Sequence, residues 1–180
     1  MPKDKFVERI KLLLDDEKDV EEFFKYCITV PKKAIRANTL KITPDELRKR
    51  LEGYGWKVKQ PFKDFREVMI VESELKPGEI GKTKEHILGY YYVQEITSMM
   101  PIFALNPGRE DVILDLCAAP GSKTTQSAAM MENQGNIIAN DLSIGRISIL
   151  SSNLERCGVT NTIVTRDAGS ELCKKLKKTG

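Results

Sequence analysis

The C-terminal part of the sequence alternates short apolar runs with longer amphipathic segments, and this alternation constrains the fold more than any other feature. After residue 111, three strand-like runs are each followed by a helix-like segment. Strands joined through helices pair in parallel by right-handed crossovers. The pattern therefore predicts the α/β class, with a Rossmann-like, doubly wound sheet. The expected strands are Val112–Leu116, Asn136–Ala139 and Thr162–Val164, and the expected helices cover 120–131, 143–156 and 168–178.

The sequence before this alternation follows a different pattern. Apolar residues recur at helical spacing near the N-terminus, which predicts two amphipathic helices. Further on, Thr43 followed by Pro44 and Glu46 is typical of a capped helix start, and short β-rich runs come after it at Trp56–Val58 and Val68–Val71. These features predict a small α+β domain. We therefore expect three parts: helices in 1–30, the small domain with a connector in 31–108, and the first half of the larger sheet in 109–180.

Composition excludes several classes of protein. Hydrophobic residues make up 41% of the chain and charged residues 31%, a balance that suits a globular core and not a disordered segment. No apolar run approaches the roughly 18 residues of a membrane span. The four cysteines form no C-x-x-C pair and there is one histidine, so neither a disulfide framework nor a metal site is expected. We expect a cytoplasmic protein with no membrane or metal partner.

Charge is unevenly distributed along the sequence. Residues 25–66 contain twelve basic and four acidic residues, although the net charge of the whole chain is only +3. A segment this basic can bind phosphates through counterion release, and Tyr54 and Trp56 could stack on unpaired bases. A solvated helix face would have the same composition. RNA binding is therefore one of two interpretations that the charge pattern leaves open.

The loop after the first predicted strand carries the most specific motif, Asp-Leu-Cys-Ala-Ala-Pro-Gly-Ser-Lys-Thr at 115–124. It is not a Walker A loop, because Ser122 separates Gly121 from Lys123. The dinucleotide pattern G-x-G-x-x-G is also missing. A loop with one glycine at the carboxyl end of a parallel strand suits a ligand without a pyrophosphate.

Carboxylates follow the second and third predicted strands. Asp141 comes about 20 positions after the loop, where doubly wound folds place an acid that accepts the hydroxyls of a ribose. Asp167 follows the third strand and could accept a hydrogen bond from an adenine amino group. Each aspartate also directly precedes a predicted helix, so a helix cap is the alternative role. Together with the loop, the pair favours S-adenosylmethionine, an adenosine ligand without phosphates.

These residues resemble a known family, the RNA (cytosine-5) methyltransferases of the Nol/Nop/Sun type. The loop 115–124 carries the likeness together with Arg146 and the two aspartates. Upstream, Arg36–Lys41 resembles the R-x-N-T-L motif that opens the family's small RNA-binding domain, and Tyr92–Glu95 resembles the segment before its cofactor domain. The resemblance implies that S-adenosylmethionine is bound by Cys117, Ala118, Ala119, Pro120, Gly121, Ser122, Lys123, Asp141, Arg146 and Asp167.

In that family the stretch from Cys117 to Lys123 would line the methionine moiety, Asp141 would hold the ribose, Asp167 the adenine, and Arg146 would brace the loop after the second strand. A surface position at the start of a helix is the alternative for Lys123. The partner implied is RNA, either tRNA or rRNA. The expected RNA-binding residues are Lys32, Lys33, Arg36, Asn38 and Lys41.

The chain departs from the family in one respect. The family's reaction uses a cysteine of a Pro-Cys motif and a second cysteine of a Thr-Cys motif, and neither dipeptide occurs here. We therefore assign no catalytic residue and expect the chain to be inactive alone, with a second polypeptide or a missing C-terminal half completing the sheet. The alternatives are a non-catalytic RNA-binding or assembly module, and a methyltransferase that acts on another substrate without cysteine chemistry.

Overall fold

The computed structural model describes residues 3–14 and 16–179, the last four of these by their backbone only. Its residues fall into two compact units, one up to residue 32 and one from residue 33 onward. The boundary expected near residue 108 stays a prediction, since the residues on both sides of it belong to the second unit. Within the described ranges, no helix is long and apolar enough to cross a membrane.

The first unit contains the two predicted helices, α1 at Asp4–Leu13 and α2 at Glu17–Cys27. The carboxylate of Asp16 accepts a hydrogen bond from the Lys18 amide at 2.9 Å and so caps α2. The two helices are joined by an aromatic cluster of Phe6, Phe23 and Phe24, with ring centroids 5.4 to 6.3 Å apart.

The second unit begins with a small antiparallel sheet. Its strands are β1 at Lys33–Ala37, β2 at Val58–Lys59, β3 at Val68–Val71 and β4 at Tyr91–Val93, and they lie in the order β2-β3-β1-β4. The predicted strand at Val68–Val71 is confirmed as β3, whereas β1 was not predicted because an arginine interrupts its apolar residues. The helices are α3 at Pro44–Gly53, α4 at Lys84–Ile87 and α5 at Ile96–Leu105, with a short 3₁₀ helix at Glu79–Gly81.

Both faces of this small sheet are covered. On one face, Ile35 and Ala37 belong to a buried cluster with Leu47 of α3. On the other, Ala34 is clustered with Met99 of α5. Because side chains alternate between faces along a strand, every second residue of β1 faces α5 and not α3.

The start of α3 matches the predicted cap. The hydroxyl of Thr43 accepts a hydrogen bond from the Glu46 amide at 3.3 Å, and Pro44 is the first helical residue. We expect Thr43→Ala to lower the free energy of unfolding by about 1 kcal/mol, measured by urea denaturation, because one amide of the first turn loses its acceptor. Thr43→Ser keeps the hydroxyl and should cost far less. Equal losses for the two variants would contradict a capping role.

The rest of the second unit is the predicted parallel sheet. Strands β5 (Val112–Asp115), β6 (Asn136–Asn140) and β7 (Thr162–Thr165) pair in parallel in that order. Strand β5 lies at one end of the order, and its Val112 and Leu114 side chains are 71% and 39% exposed. The helices that follow the three strands are α6 at Ser122–Met130, α7 at Ile144–Cys157 and α8 at Gly169–Thr179. The α/β fold class is therefore confirmed.

Candidate cofactor-binding site

A cleft of about 250 Å³ opens at the carboxyl ends of the parallel strands. Four residues expected to contact a cofactor line it: Cys117, Asp141, Arg146 and Asp167. Cys117, Asp141 and Asp167 follow three different strands, and Arg146 lies in the first turn of α7. They meet because the ends of parallel strands share one edge of the sheet. The remaining lining residues are Leu116, Asn140, Leu142, Ala168 and Gly169.

The loop between β5 and α6 is held in a tight turn by its own backbone. The Gly121 amide donates to the carbonyl of Ala118 at 2.7 Å, and Gly121 adopts a φ of +102°. A Cβ at this position would lie 2.9 Å from the Leu150 side chain, in addition to the strain of the left-handed conformation. Glycine is therefore required where the loop turns into α6.

Asp141 is almost completely buried, with 3% of its side chain exposed. Its carboxylate accepts hydrogen bonds from the amides of Ser143 at 3.0 Å and Ala119 at 3.3 Å. Arg146 lies 3.3 Å from the same carboxylate and donates to the carbonyl of Ala119. The aspartate therefore ties the cofactor loop to the turn before α7, and the residue at the N-cap of α7 is Ser143.

Asp167 also lines the cleft, and its side chain is 23% exposed. Its carboxylate forms an ion pair with Lys175 of α8. Hydrogen bonding to Asp167 raises the pKa of the lysine above its ordinary value. Lys175 is thus a competitor for any ligand group that would use this carboxylate.

Asn140 holds the strand ends in place and was not identified from the sequence. Its side-chain amide donates to the carbonyls of Leu116 and Asp167, each at 3.0 Å. Its oxygen accepts from the Thr165 hydroxyl at 3.1 Å and from the Asp167 amide at 2.9 Å. An amide side chain at the end of a strand, directly before Asp141, is the signal that could have revealed it.

Other residues of the predicted cofactor set lie elsewhere. Ala118 and Ala119 are loop residues with buried side chains, and neither they nor Pro120, Gly121 and Ser122 line the cleft. Lys123 lines a separate cleft of about 210 Å³, beside Asp115 and Thr124. There the Thr124 hydroxyl donates to the Asp115 carboxylate at 2.8 Å. The structure therefore does not bring Lys123 together with the two cleft aspartates.

Two of the residues expected to contact RNA are buried in the structure. Arg36 and Asn38 are each only 2% exposed. Arg36 belongs to the face of β1 that is turned toward α5, and burial lowers its pKa to about 10. The Asn38 amide donates to the carbonyls of Gly89 and Cys157, each at 2.8 Å. Both side chains are therefore parts of the interior and not available to RNA.

The three expected lysine contacts are exposed. Lys33 begins β1, and Lys32 is the last residue of the first compact unit. Lys41 donates to the carbonyls of Leu88 at 3.1 Å and Arg156 at 2.7 Å, so its ammonium group also neutralises the C-terminal end of α7. Lys32 and Lys33 are therefore the better probes of RNA binding.

The cysteines of the second unit differ in environment. Cys117 is exposed and lines the cleft, whereas Cys157 is buried at the end of α7. Burial raises the pKa of the Cys157 thiol, which opposes the thiolate that a nucleophile needs. No group of three or more His, Cys, Asp or Glu side chains in the described part of the chain could hold a metal ion.

The fold and the cleft define the first part of a methyltransferase-type α/β domain, joined to a small antiparallel domain. A family model for the N-terminal domain of 16S rRNA methyltransferase RsmF matches residues 1–96, and one for 16S rRNA methyltransferase RsmB/F matches residues 102–179. The chain belongs to this family of 16S rRNA methyltransferases. The Nol/Nop/Sun-type resemblance is thereby confirmed.

Curated relatives agree with this assignment. The chain is 40% identical over 166 residues to the ribosomal RNA small subunit methyltransferase F of Vibrio campbellii, covering 91% of this chain and 34% of the relative. It is also 40% identical over 167 residues to the protein of the same name from Aeromonas hydrophila, covering 90% and 35%. The chain thus spans about a third of the length of these relatives.

Solved structures share the fold. A methyltransferase homolog protein from Pyrococcus horikoshii matches with a TM-score of 0.75 and 34% identity, over 82% of this chain and 48% of that one. NSun6 from Pyrococcus horikoshii, solved with SFG, matches with a TM-score of 0.86 over 96% of this chain and 67% of that one. At 22% identity, the second match supports the fold alone.

Proposed function

We propose that this chain supplies the S-adenosylmethionine site and part of the RNA-binding surface of a cytoplasmic enzyme that methylates carbon 5 of cytosine in ribosomal RNA. The observation that carries the proposal is the cleft that unites Cys117, Asp141, Arg146 and Asp167 at the carboxyl ends of three strands. The family membership and the relatives' names favour ribosomal RNA over tRNA.

The residues of the cleft suit this cofactor. S-adenosylmethionine, when bound, supplies the methyl group. Asp141 offers a carboxylate to the ribose hydroxyls. Asp167 offers a carboxylate to the adenine amino group, which would compete with Lys175 for it. Gly121 allows the loop to turn sharply into α6, because a Cβ at this position would meet the Leu150 side chain of α7. We assign the methionine moiety to the loop side of the cleft, next to Cys117.

The nucleophile of the methylation would come from outside this chain. A cytosine-5 methyltransferase needs a cysteine thiolate that adds to carbon 6 of the base. Cys117 belongs to the cofactor loop and Cys157 is buried with a raised pKa, so neither fits that role. We propose that the C-terminal part of the enzyme, in the same or a second polypeptide, provides it and pairs with the exposed edge of β5.

Calorimetry with S-adenosylmethionine tests the cofactor assignment. We expect one molecule to bind per chain, and we expect S-adenosylhomocysteine to compete because it shares the adenosine moiety. Circular dichroism of the same sample verifies that the chain is folded. A folded chain that binds neither compound would contradict the proposal and favour the non-catalytic RNA-binding module.

A second measurement tests the reaction. The chain is mixed with the C-terminal two thirds of a relative, and transfer of labelled methyl groups to small-subunit ribosomal RNA is followed. We expect 5-methylcytosine to form only when both polypeptides are present. Methylation of another base, or of another position of cytosine, would contradict the cytosine-5 assignment.

RNA binding through the basic segment is tested with two exposed lysines. We expect the double substitution Lys32→Ala and Lys33→Ala to weaken binding to a ribosomal RNA fragment and to reduce the slope of log K against log salt by about 1.5, since each lysine releases about 0.7 to 0.9 counterions. Fluorescence anisotropy at several salt concentrations measures both quantities. Lys76→Ala with Lys82→Ala, outside the basic segment, is the matched control. Equal effects of the two pairs would contradict a defined RNA surface at the first pair.

A further inference from the structure

Two residues of the small sheet face the cofactor loop from the same side. Arg36 of β1 and Tyr92 of β4 are directly paired across the antiparallel strands, so their side chains leave the sheet on one face. That face meets the end of the loop at Pro120 and the first turn of α6. The loop is therefore contacted by the small domain as well as by the parallel sheet that carries it.

Tyr92 is fixed in position around its phenol group. Its hydroxyl donates to the carbonyl of Pro120 at 3.2 Å, and the Asn153 amide donates to the same carbonyl at 2.9 Å and to the Tyr92 hydroxyl at 3.3 Å. The guanidinium groups of Arg36 and Arg156 each lie 5.6 Å from the centre of the Tyr92 ring. The hydroxyl is thus held against the loop carbonyl by contacts on several sides.

Arg36 fixes the segment immediately after the loop. Its guanidinium donates to the carbonyl of Ser122 and to the hydroxyl of Thr125, each at 2.9 Å, and to the side-chain oxygen of Gln94. The Gln94 amide in turn donates to Gln126 at 3.1 Å. One carbonyl and two side chains in the first two turns of α6 are therefore hydrogen-bonded to residues of the small domain or of its connector.

The burial of Arg36 is costly for a purely structural residue. Its Nε atom is buried without a hydrogen-bond partner, and its partners in the described part of the chain are neutral. Buried charges without an ionic partner lower stability relative to well-packed apolar residues, and such groups are retained where they fix one arrangement. Here the arrangement that is fixed is the start of α6.

We infer that Arg36 and Tyr92 are positioning residues for the methyl donor: the small antiparallel domain sets the conformation of the loop 117–121 on which cofactor binding depends. The inference rests on the proposed function of the cleft, because it gives the loop a ligand to bind. The two residues act through the carbonyls of Pro120 and Ser122 and touch no ligand themselves.

Tyr92→Phe tests the inference, because it removes the hydroxyl and keeps the ring. We expect amide hydrogen exchange in peptides that cover 116–126 to become about fivefold faster, the usual consequence of one lost hydrogen bond. We also expect the dissociation constant for S-adenosylmethionine to rise by a similar factor. Exchange is measured on the free chain, and the dissociation constant by calorimetry.

Tyr54→Phe is the matched control. Its hydroxyl donates to Glu85 at 2.9 Å within the small domain, and within residues 3–14 and 16–179 it makes no hydrogen bond to the loop. We expect a comparable small change in thermal stability with unchanged exchange in 116–126. If Tyr92→Phe leaves amide exchange in the loop at the wild-type rate, as Tyr54→Phe is expected to do, the positioning role is overturned.

Arg36→Lys provides an independent variant. Lysine keeps the charge but lacks the planar fork whose two nitrogens donate to Gln94, Ser122 and Thr125, so we expect faster exchange at the start of α6. The readouts separate the two proposals. A wild-type chain that does not bind S-adenosylmethionine overturns the proposed function, while the exchange of the free chain still decides whether the small domain holds the loop.

Discussion

Asp141→Asn should lower the affinity for S-adenosylmethionine by about 100-fold, as measured by calorimetry. Hydrogen bonds to a charged acceptor contribute about 1.5 to 3 kcal/mol each, and in the proposed complex the ribose would offer two hydroxyls to this carboxylate. In asparagine, an NH₂ group replaces one carboxylate oxygen. This group would face the backbone N–H of Ala119 and the guanidinium of Arg146, which are themselves hydrogen-bond donors and would lose an acceptor. The ribose contact and the shape of the loop are therefore lost together.

Asp111→Asn is the matched control for this variant. The Asp111 carboxylate also accepts a backbone hydrogen bond, from the Gly108 amide at 2.7 Å, but it precedes β5 at the opposite end of the strand. We expect unchanged affinity for the cofactor. Equal affinity of the wild type and Asp141→Asn would remove Asp141 from the binding site and leave it the structural role of joining the loop to the turn before α7.

Gly89→Ala should cause the largest loss of stability of any single substitution proposed here. Gly89 has a φ of +72°, and a Cβ would lie 1.8 Å from the carbonyl oxygen of Arg156 and 2.7 Å from its carbon. Neither atom can move away easily, because both belong to the backbone of α7. We expect the free energy of unfolding to fall by about 4 kcal/mol or more, from left-handed strain plus a backbone clash, measured by urea denaturation.

Gly55→Ala separates the two causes. Gly55 has a φ of +83°, close to that of Gly89, but no atom lies within 4 Å of its Cβ position. We expect a loss of about 1 kcal/mol from the left-handed conformation alone. If the two alanine variants lose the same amount, the close approach of Gly89 to α7 does not contribute to stability, and the contact between the small domain and α7 is looser than described.

The regular elements of the second unit were largely predictable because their signals are local. Strand β3 lies where the run of apolar residues predicted it, and Thr43 caps α3 through a contact within one turn. Strand β1 escaped prediction because its arginine breaks the apolar run. Such a residue is recognisable as buried only when the elements on both faces of the sheet are known.

The candidate site divides in the same way. Asp141 and Asp167 could be placed together because both directly follow parallel strands, whose ends share an edge. Lys123 could not be placed, because its side chain starts a helix and the direction in which it points depends on the packing of α6. The roles of Tyr92 and Asn140 were likewise hidden, since their partners lie 24 or more positions away in the sequence.

The sequence by itself determined the parallel sheet, the one-glycine loop and the two carboxylates, because periodicity, turn chemistry and spacing along a strand are properties of neighbouring residues. The tertiary structure alone decided which charged residues remain at the surface. Arg36 and Asn38 belong to the same basic segment as Lys33, yet packing against α5, α6 and the end of α7 buries the first two and leaves the lysine exposed. The charges along a sequence indicate how many basic residues could bind RNA phosphates. Which of these residues RNA can reach depends on which faces of the sheet are covered by helices.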